Sequence, residues 1–430
     1  MPGTAKPNKG TRRVMVGSVP LGGGAPVVVQ SMLNAPAGDV AANLAQIEAL
    51  AAAGCEVVRM AIPHKADLDA FEAVCAASPL PVVADIHFSA DIAVEAARRG
   101  AAKLRINPGN IGGLAKTDAV LDAAGEAGIP IRIGVNAGSL DVELAARTDL
   151  TLAQKLARSA ADYVRYCEGR GFRDLVVSAK AHDVMATVAT YRQLARELPT
   201  CPLHIGVTEA GTLFQGVIKS ACGLGILLEE GIGDTLRISL TDDPVQDVRA
   251  CWTLLAALDL RRRAPELVSC PTCGRCQVDL IGLAQQVEER IANLGKPLKV
   301  AVMISWEPMA SISSRTMRST FASTRLPSGR NVYTPEAVLR IMPARRSSLW
   351  LAISASVGSS LSVGTHSSLM RMIFAFVIAF LSPPSKRPRW PSPPPCGRRL
   401  PWKTPRPSLL RTPRRCRRRQ PRPGRSPRSP

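Results

Sequence analysis

Between residues 337 and 430 the chain has no aspartate or glutamate. That absence accounts for a formal charge of +21 over 430 residues, a value that would otherwise suggest nucleic acid or an anionic membrane as partner. Residues 304–430 hold 24 lysines and arginines against two acids, Glu307 and Glu336, which leaves 31 basic and 32 acidic residues in the first 303. The larger part of the chain is electrically ordinary, so neither nucleic acid nor a membrane is expected as its partner. Long apolar runs are also lacking: "MIFAFVIAFL" (372–381) is about half of the roughly 20 residues a membrane span requires. The N-terminal "MPGTAKPNKGTRR" is basic but has no apolar stretch behind it, so it does not read as a secretory signal. Eleven cysteines in a chain this long make no disulfide scaffold, and a reducing, cytoplasmic compartment is expected. Six of them (Cys55, Cys75, Cys167, Cys201, Cys222 and Cys251) sit singly among apolar residues and read as small core residues.

What the first 260 residues do have is regular alternation. Short runs rich in valine and isoleucine recur at 27–32, 56–62, 81–87, 103–108, 131–136, 174–180, 203–209 and 235–240. Stretches with helical spacing, such as "VAANLAQIEALAAAG", lie between them and are long enough to cross back over a sheet. Strand and helix alternating eight times predicts a closed (β/α)₈ TIM-like barrel over residues 1–262, with a doubly wound open sheet as the alternative. In such barrels the reactive residues stand at the C-terminal strand ends. Here those ends carry Arg59, Asp85, His87, Arg105, Asn107, Arg132, Asn136, Ser178, Lys180, Thr208, Glu209, Arg237 and Ser239. Cations repeated on five strand ends, with few acids beside them, predict a guest with more than one phosphate, because a guanidinium fork matches phosphate oxygens. Asp85 and His87, two residues apart, face the same side of a strand and could orient a substrate or move a proton. His204 begins its strand, at the end away from the mouth, and reads as structural.

Three cysteines crowd into "SCPTCGRCQ" (269–277), followed by an amphipathic helix (280–293) and an apolar strand (298–303) that open a smaller α+β domain. By itself a C-x-x-C is consistent with half of a zinc site, a redox dithiol or half of an iron–sulfur site.

Taken together, "VPLGGGAPVVVQSM", "VADIHF", "LRINPGNIG", "IRIGVNAGSL", "TEAG", "EGIGDTLRISL" and "CPTCGR" resemble the 4-hydroxy-3-methylbut-2-enyl diphosphate synthases, in order and from about Arg12 to Met303. The resemblance implies reductive ring opening of 2-C-methyl-D-erythritol 2,4-cyclodiphosphate in non-mevalonate isoprenoid biosynthesis. Electrons would come one at a time through a [4Fe-4S] cluster, from flavodoxin or ferredoxin, in a homodimer. It also implies that Arg59, Arg105, Asn107, Arg132, Asn136, Lys180, Arg237 and Ser239 bind the substrate. Asp85, His87 and Glu209 would position it or move protons, and Cys270 and Cys273 would ligate the cluster.

The same resemblance leads to an expected third cysteine and a glutamate just after Met303, in a segment like "GCVVNGPGE". The chain reads "ISWEPMASISSRTMRST" there, with no cysteine between Cys276 and Cys396. Cys276 departs from the family spacing and reads as a bystander, and Glu307, the nearest carboxylate, is not assigned. Residues 263–303 are thus expected to be a truncated iron–sulfur domain. Residues 304–430, rich in Arg, Pro and Ser, read as a disordered basic tail resembling a gene translated out of frame. Such a chain is expected to be impaired in activity; the alternative is a cluster-free phosphate-binding barrel whose cysteines hold zinc or nothing.

Overall fold

The structure is a computed structural model that describes residues 10–273, 279–291, 299–304, 337–342 and 350–355. It opens with an antiparallel hairpin, β1 (Val14–Val16) and β2 (Val19–Leu21), in which Val14 faces Leu21. Strands and helices then alternate: β3 (Val28–Met32), α1 (Val40–Ala53), β4 (Val57–Ala61), α2 (Leu68–Ala77), β5 (Val82–Asp85), α3 (Ala90–Arg98), β6 (Lys103–Ile106) and α4 (Leu114–Ala127). The second half continues with β7 (Ile131–Asn136), α5 (Val142–Ala146), α6 (Leu152–Gly169), β8 (Leu175–Lys180), α7 (Val184–Glu197), β9 (His204–Ile205), α8 (Leu213–Glu229), β10 (Thr235–Leu236) and α9 (Pro244–Ala257). All eight strands from β3 to β10 pair in parallel, in the order β8-β7-β6-β5-β4-β3-β10-β9. A bridge between Val177 and Leu203 joins β8 to β9 and closes the ring, so the open-sheet alternative does not hold.

Local chemistry sets the helix starts. The side chains of Asp39, Ser89, Thr151, Asp183 and Asp243 each accept a backbone N–H in the first turn of α1, α3, α6, α7 and α9, replacing a partner that helix geometry denies it.

Residues alternate along each strand between two cores. Outward residues such as Val29, Val58, Ala84 and Ile133 pack under the helices. Inward residues at the N-terminal end, Val28, Val57, Val83 and Val176, pack against Val14, Val16 and Leu21 of the hairpin. The hairpin therefore floors the barrel with apolar side chains, and the C-terminal strand ends form its mouth. No local pattern among residues 14–21 marks this floor in advance.

Two strands are shorter than their apolar runs suggested: β9 has two residues where seven were expected, and β10 two where six were. Glu209, Arg237 and Ser239 accordingly stand in loops beyond strands. Strand β6 stops at Ile106 because Pro108 lacks an N–H and restricts Asn107 before it.

Beyond the barrel, α10 (Leu280–Ile291) and β12 (Lys299–Ile304) follow close to expectation, and a strand not read from the sequence, β11 (Glu266–Ser269), precedes them. Strands β13 (Ala337–Met342) and β14 (Trp350–Ala355) complete a second sheet, in the order β11-β12-β14-β13. They fall in the segment expected to lack regular structure: "AVLRIM" and "WLAISA" are local apolar runs that segment-wide composition conceals. Cys276, Glu307 and the remaining residues of 304–430 lie outside the described residues. Among the described residues no helix is long and apolar enough to cross a membrane.

Candidate functional site

The inward face of the barrel changes character one step above its floor. On β5 the inward residue after Val83 is Asp85; on β4 the one after Val57 is Arg59; on β8 Val176 gives way to Ser178 and Lys180. Strands β6 and β7 add Arg105 and Arg132, which lie in register with Asp85.

Asp85 is the organising acid. Its Oδ1 accepts from Nη1 of Arg105 at 3.0 Å, and its Oδ2 lies 3.4 Å from Nε of Arg59 and 3.3 Å from Nε2 of His87. The carboxylate is 2% exposed. Burial by itself would raise its pKa, but the Arg59 charge, the His87 contact and the charges of Arg105 and Arg132 outweigh burial and hold it well below the usual range. It stays ionised at any pH of interest, which suits it to fixing the arginines rather than exchanging protons. His87 stands half-exposed at the rim, with Nη1 of Arg105 2.8 Å from its Nε2.

The cations outnumber their acids. Arg59, Arg105, Arg132, Lys180 and Arg237 share the barrel interior with Asp85 and Asp247, the latter on α9, 3.5 Å from Nη2 of Arg237. Burial and its cationic neighbours Arg237 and Arg105 lower Arg59 to about 10 despite Asp85. Burial, then Arg132, Arg237, Arg59 and Arg105, push the Lys180 amine well below the ordinary lysine value. Nε of Arg105, Arg132 and Arg237 and both amide atoms of Asn107 are buried without a hydrogen-bond partner among the described residues. Met32 Sδ lies 3.3 Å from Nε of Arg59 and 3.7 Å from Nη1 of Arg237, a thioether where guanidinium forks would meet an oxyanion. Asn136 and Ser239 are half-buried on the same rim. Glu209 is exposed and holds a left-handed backbone, φ 54°, unusual for a residue with a side chain and common at functional turns.

Two glycines make the cation cluster possible. A Cβ on Gly134 (β7) would stand 2.7 Å from Nε of Arg105. One on Gly206 would stand 2.7 Å from both Nζ of Lys180 and the carbonyl oxygen of Arg237. These inward positions are empty so that long side chains from neighbouring strands can cross them. Sequence reasoning missed both glycines, and it missed Asp247, Met32 and Lys103. Lys103 is 0% exposed, its Nζ lacks a partner among the described residues, and burial followed by Arg132 and Arg59 drives its pKa well below the ordinary value. Position relative to a strand end was the available signal for Lys103; nothing local marks the others.

The cysteines divide as well. Burial pushes the thiols of Cys55, Cys75, Cys167, Cys201 and Cys251 up to about 12, so they are inert, whereas Cys222 is exposed on α8, against expectation. Cys270 is half-buried and Cys273 exposed. Among the described residues no group of three or more His, Cys, Asp or Glu side chains converges to hold a metal. Two thiolates do not by themselves fit a four-iron cluster, which takes a ligand at each iron.

Gly134→Ala is expected to weaken binding of inorganic pyrophosphate about tenfold or more, since one displaced charge-assisted hydrogen bond is worth roughly 1.5–3 kcal/mol. Calorimetric titration measures this, and unchanged affinity would remove Arg105 from the site. Asp247 supplies a pH test. Burial lifts its carboxyl from 3.8 to about 6 against the Arg237 charge and the Leu240 N–H. The folded protein holds this proton more tightly than the unfolded chain does. Its stabilising contribution is therefore complete below the unfolded pKa and disappears as pH rises through about 6. Between about pH 4 and pH 7 the parent chain should lose on the order of 2–3 kcal/mol relative to Asp247→Asn, as read by urea unfolding. An identical slope in both proteins would place the titration elsewhere.

Comparison with known proteins converges on one family. The model described as GcpE TIM-barrel domain matches residues 11–252, and that of the GcpE protein C-terminal domain matches residues 266–304, ending where the composition changes. The 4-hydroxy-3-methylbut-2-en-1-yl diphosphate synthase (flavodoxin) of Geobacter sulfurreducens is 54% identical over 293 residues, covering 68% of this chain and 83% of that protein. The proteins of the same name from Salinispora tropica and Lawsonia intracellularis are 50% identical over 298 residues and 48% identical over 295. Each match covers 69% of this chain, and 76% and 82% of the respective relative. A barrel match over more than half of its length, with relatives this similar, makes the chain a member of the GcpE family.

Proposed function

We propose that this chain binds 2-C-methyl-D-erythritol 2,4-cyclodiphosphate in the barrel mouth and is built for its reductive opening to 4-hydroxy-3-methylbut-2-enyl diphosphate with loss of water. The observation that carries this reading is the excess of buried cation over acid, together with unpartnered guanidinium donors at the C-terminal strand ends. Arg59, Arg105, Arg132, Lys180 and Arg237 would hold the diphosphate, with Ser239, Asn107 and Asn136 donating hydrogen bonds at its edge. Asp85 keeps Arg59 and Arg105 pointed at it. His87 and Glu209, both at the exposed rim, are placed to deliver the proton that leaves with the hydroxyl oxygen as water.

A bound [4Fe-4S] cluster would supply the electrons singly, with a flavodoxin as donor, as the relatives' printed name indicates. Cys270 and Cys273 are the described residues that could ligate it, and they fall short of a full donor set. A homodimer is part of the same reading. Phe88, Val142, Met185, Leu213, Phe214 and Ile218 are exposed apolar side chains on the loops and helices that follow β5, β7, β8 and β9, around the mouth. A second copy covering that rim would bury them and exclude water from the site.

The cyclodiphosphate should raise the melting temperature of the full chain without any cluster, because a ligand bound only to the folded state stabilises it. Arg132→Ala or Lys180→Ala should abolish the rise; persistence of the full shift in both would refute the pocket. Anaerobic reconstitution with iron and sulfide should give less than one [4Fe-4S] cluster per chain, lost on exposure to air, with loss of binding in Cys270→Ser or Cys273→Ser and no change in Cys276→Ser. No iron in the reconstituted unaltered chain would favour the cluster-free reading, and stoichiometric iron that survives both serine substitutions would take ligation away from these cysteines.

A further inference from the structure

Lys180 is held by something the diphosphate reading does not use. Its side chain crosses the bare Cα of Gly206, and its Nζ lies 3.4 Å from Nε2 of His204. His204 is 0% exposed and sits two residues before Gly206, so both face the barrel interior. The backbone carries the ring at a fixed height: His204 pairs with Thr235 of β10, and its carbonyl oxygen accepts from the Tyr191 hydroxyl of α7 at 2.7 Å. The ring had been expected at the far end of a long strand. It does begin β9, a strand of two residues, and there it meets the amine of Lys180, which reaches it from the C-terminal end of β8.

Four cations act on this imidazole. Lys180 on β8, Arg132 on β7, Lys103 on β6 and Arg59 on β4 face it, and burial first and these charges next keep it neutral. Its Nδ1 has no hydrogen-bond partner among the described residues. A neutral ring carries one proton, and a lysine ammonium has three donors and no lone pair. The contact is therefore satisfied when Nδ1 carries the hydrogen and Nε2 accepts from Lys180.

We propose that His204 is a positioning residue whose Nε2 accepts one N–H of Lys180, steadying the ammonium over Gly206 with its other two donors toward the anion. The inference rests on the barrel mouth being the diphosphate site. A lysine has four rotatable bonds and loses considerable freedom when it binds an anion, so a tether already in place lowers that cost.

Differential acylation of the full chain across a pH series, read by mass spectrometry at the peptide containing Lys180, gives the protonation midpoint of that amine with no ligand present. Arg132, Arg237, Arg59 and Arg105 set its electrostatic background and remain unchanged. In His204→Leu the midpoint should fall by about one unit and pyrophosphate affinity by about tenfold, the scale of one hydrogen bond to a charged group. His204→Gln, which keeps an acceptor near the Nε2 position, should restore most of both. A midpoint and an affinity that do not move in a folded His204→Leu protein overturn the proposal. So does equal loss in His204→Gln, which would make the ring a packing element only. If His204→Leu does not fold, nitrogen NMR of the unaltered protein labelled in its five histidines decides. Nε2 of His204 unprotonated supports the tether, and Nε2 protonated overturns it. Should pyrophosphate and the cyclodiphosphate both fail to bind the unaltered chain, the diphosphate reading falls, while the Lys180 midpoint and the imidazole tautomer still test the contact itself.

Discussion

A carboxylate closed off from water between two guanidinium groups governs the architecture of the mouth. Without Asp85, Arg59 and Arg105 would face each other and Arg132 across an interior where charge is weakly screened. Breaking one side of a buried pair typically costs about 3–5 kcal/mol, because the remaining charge is stranded. Asp85 neutralises part of the cluster and Asp247 another part, and among the described residues the cations still outnumber the acids beside them. The mouth thus carries a net positive charge. An anion of two or more charges is the natural complement, and the unpartnered Nε groups give its approximate position.

The same strands that build this charged tier also build the apolar floor, and the period of two explains how. Along β4 and β5 the inward positions run Val57 then Arg59, and Val83 then Asp85, so one strand contributes to two environments a single pleat apart. Gly134 on β7 and Gly206 just after β9 occupy that tier, where bulk is removed so that side chains of adjacent strands can lie across them.

The barrel was legible because its signal is local: an apolar run, a turn and a helical stretch, repeated eight times. The rim cations were legible because they follow those runs directly. The rest depends on neighbours distant in sequence. Asp247 reads as an ordinary helix acid until α9 brings it to Arg237, and no local pattern marks Met32 as lying between Arg59 and Arg237. His204 begins its strand as its run indicates, but the contact of its ring with the Lys180 amine joins residues distant in sequence, and the apolar run is longer than the ladder it forms. Strands β13 and β14 escaped notice because a bias spread over a hundred residues hid two six-residue runs.

The hairpin of β1 and β2 has a kinetic consequence. With Val14, Val16 and Leu21 stopping the lower end, the barrel is a vessel with a single doorway. Reactant, product and released water must all use that doorway, and they must take turns. A cover closing over that doorway would have to swing aside twice in each cycle. The tempo of such an enzyme can then be set by the hinge of its cover rather than by bond breaking, and viscosity would slow it where a through-channel would be indifferent.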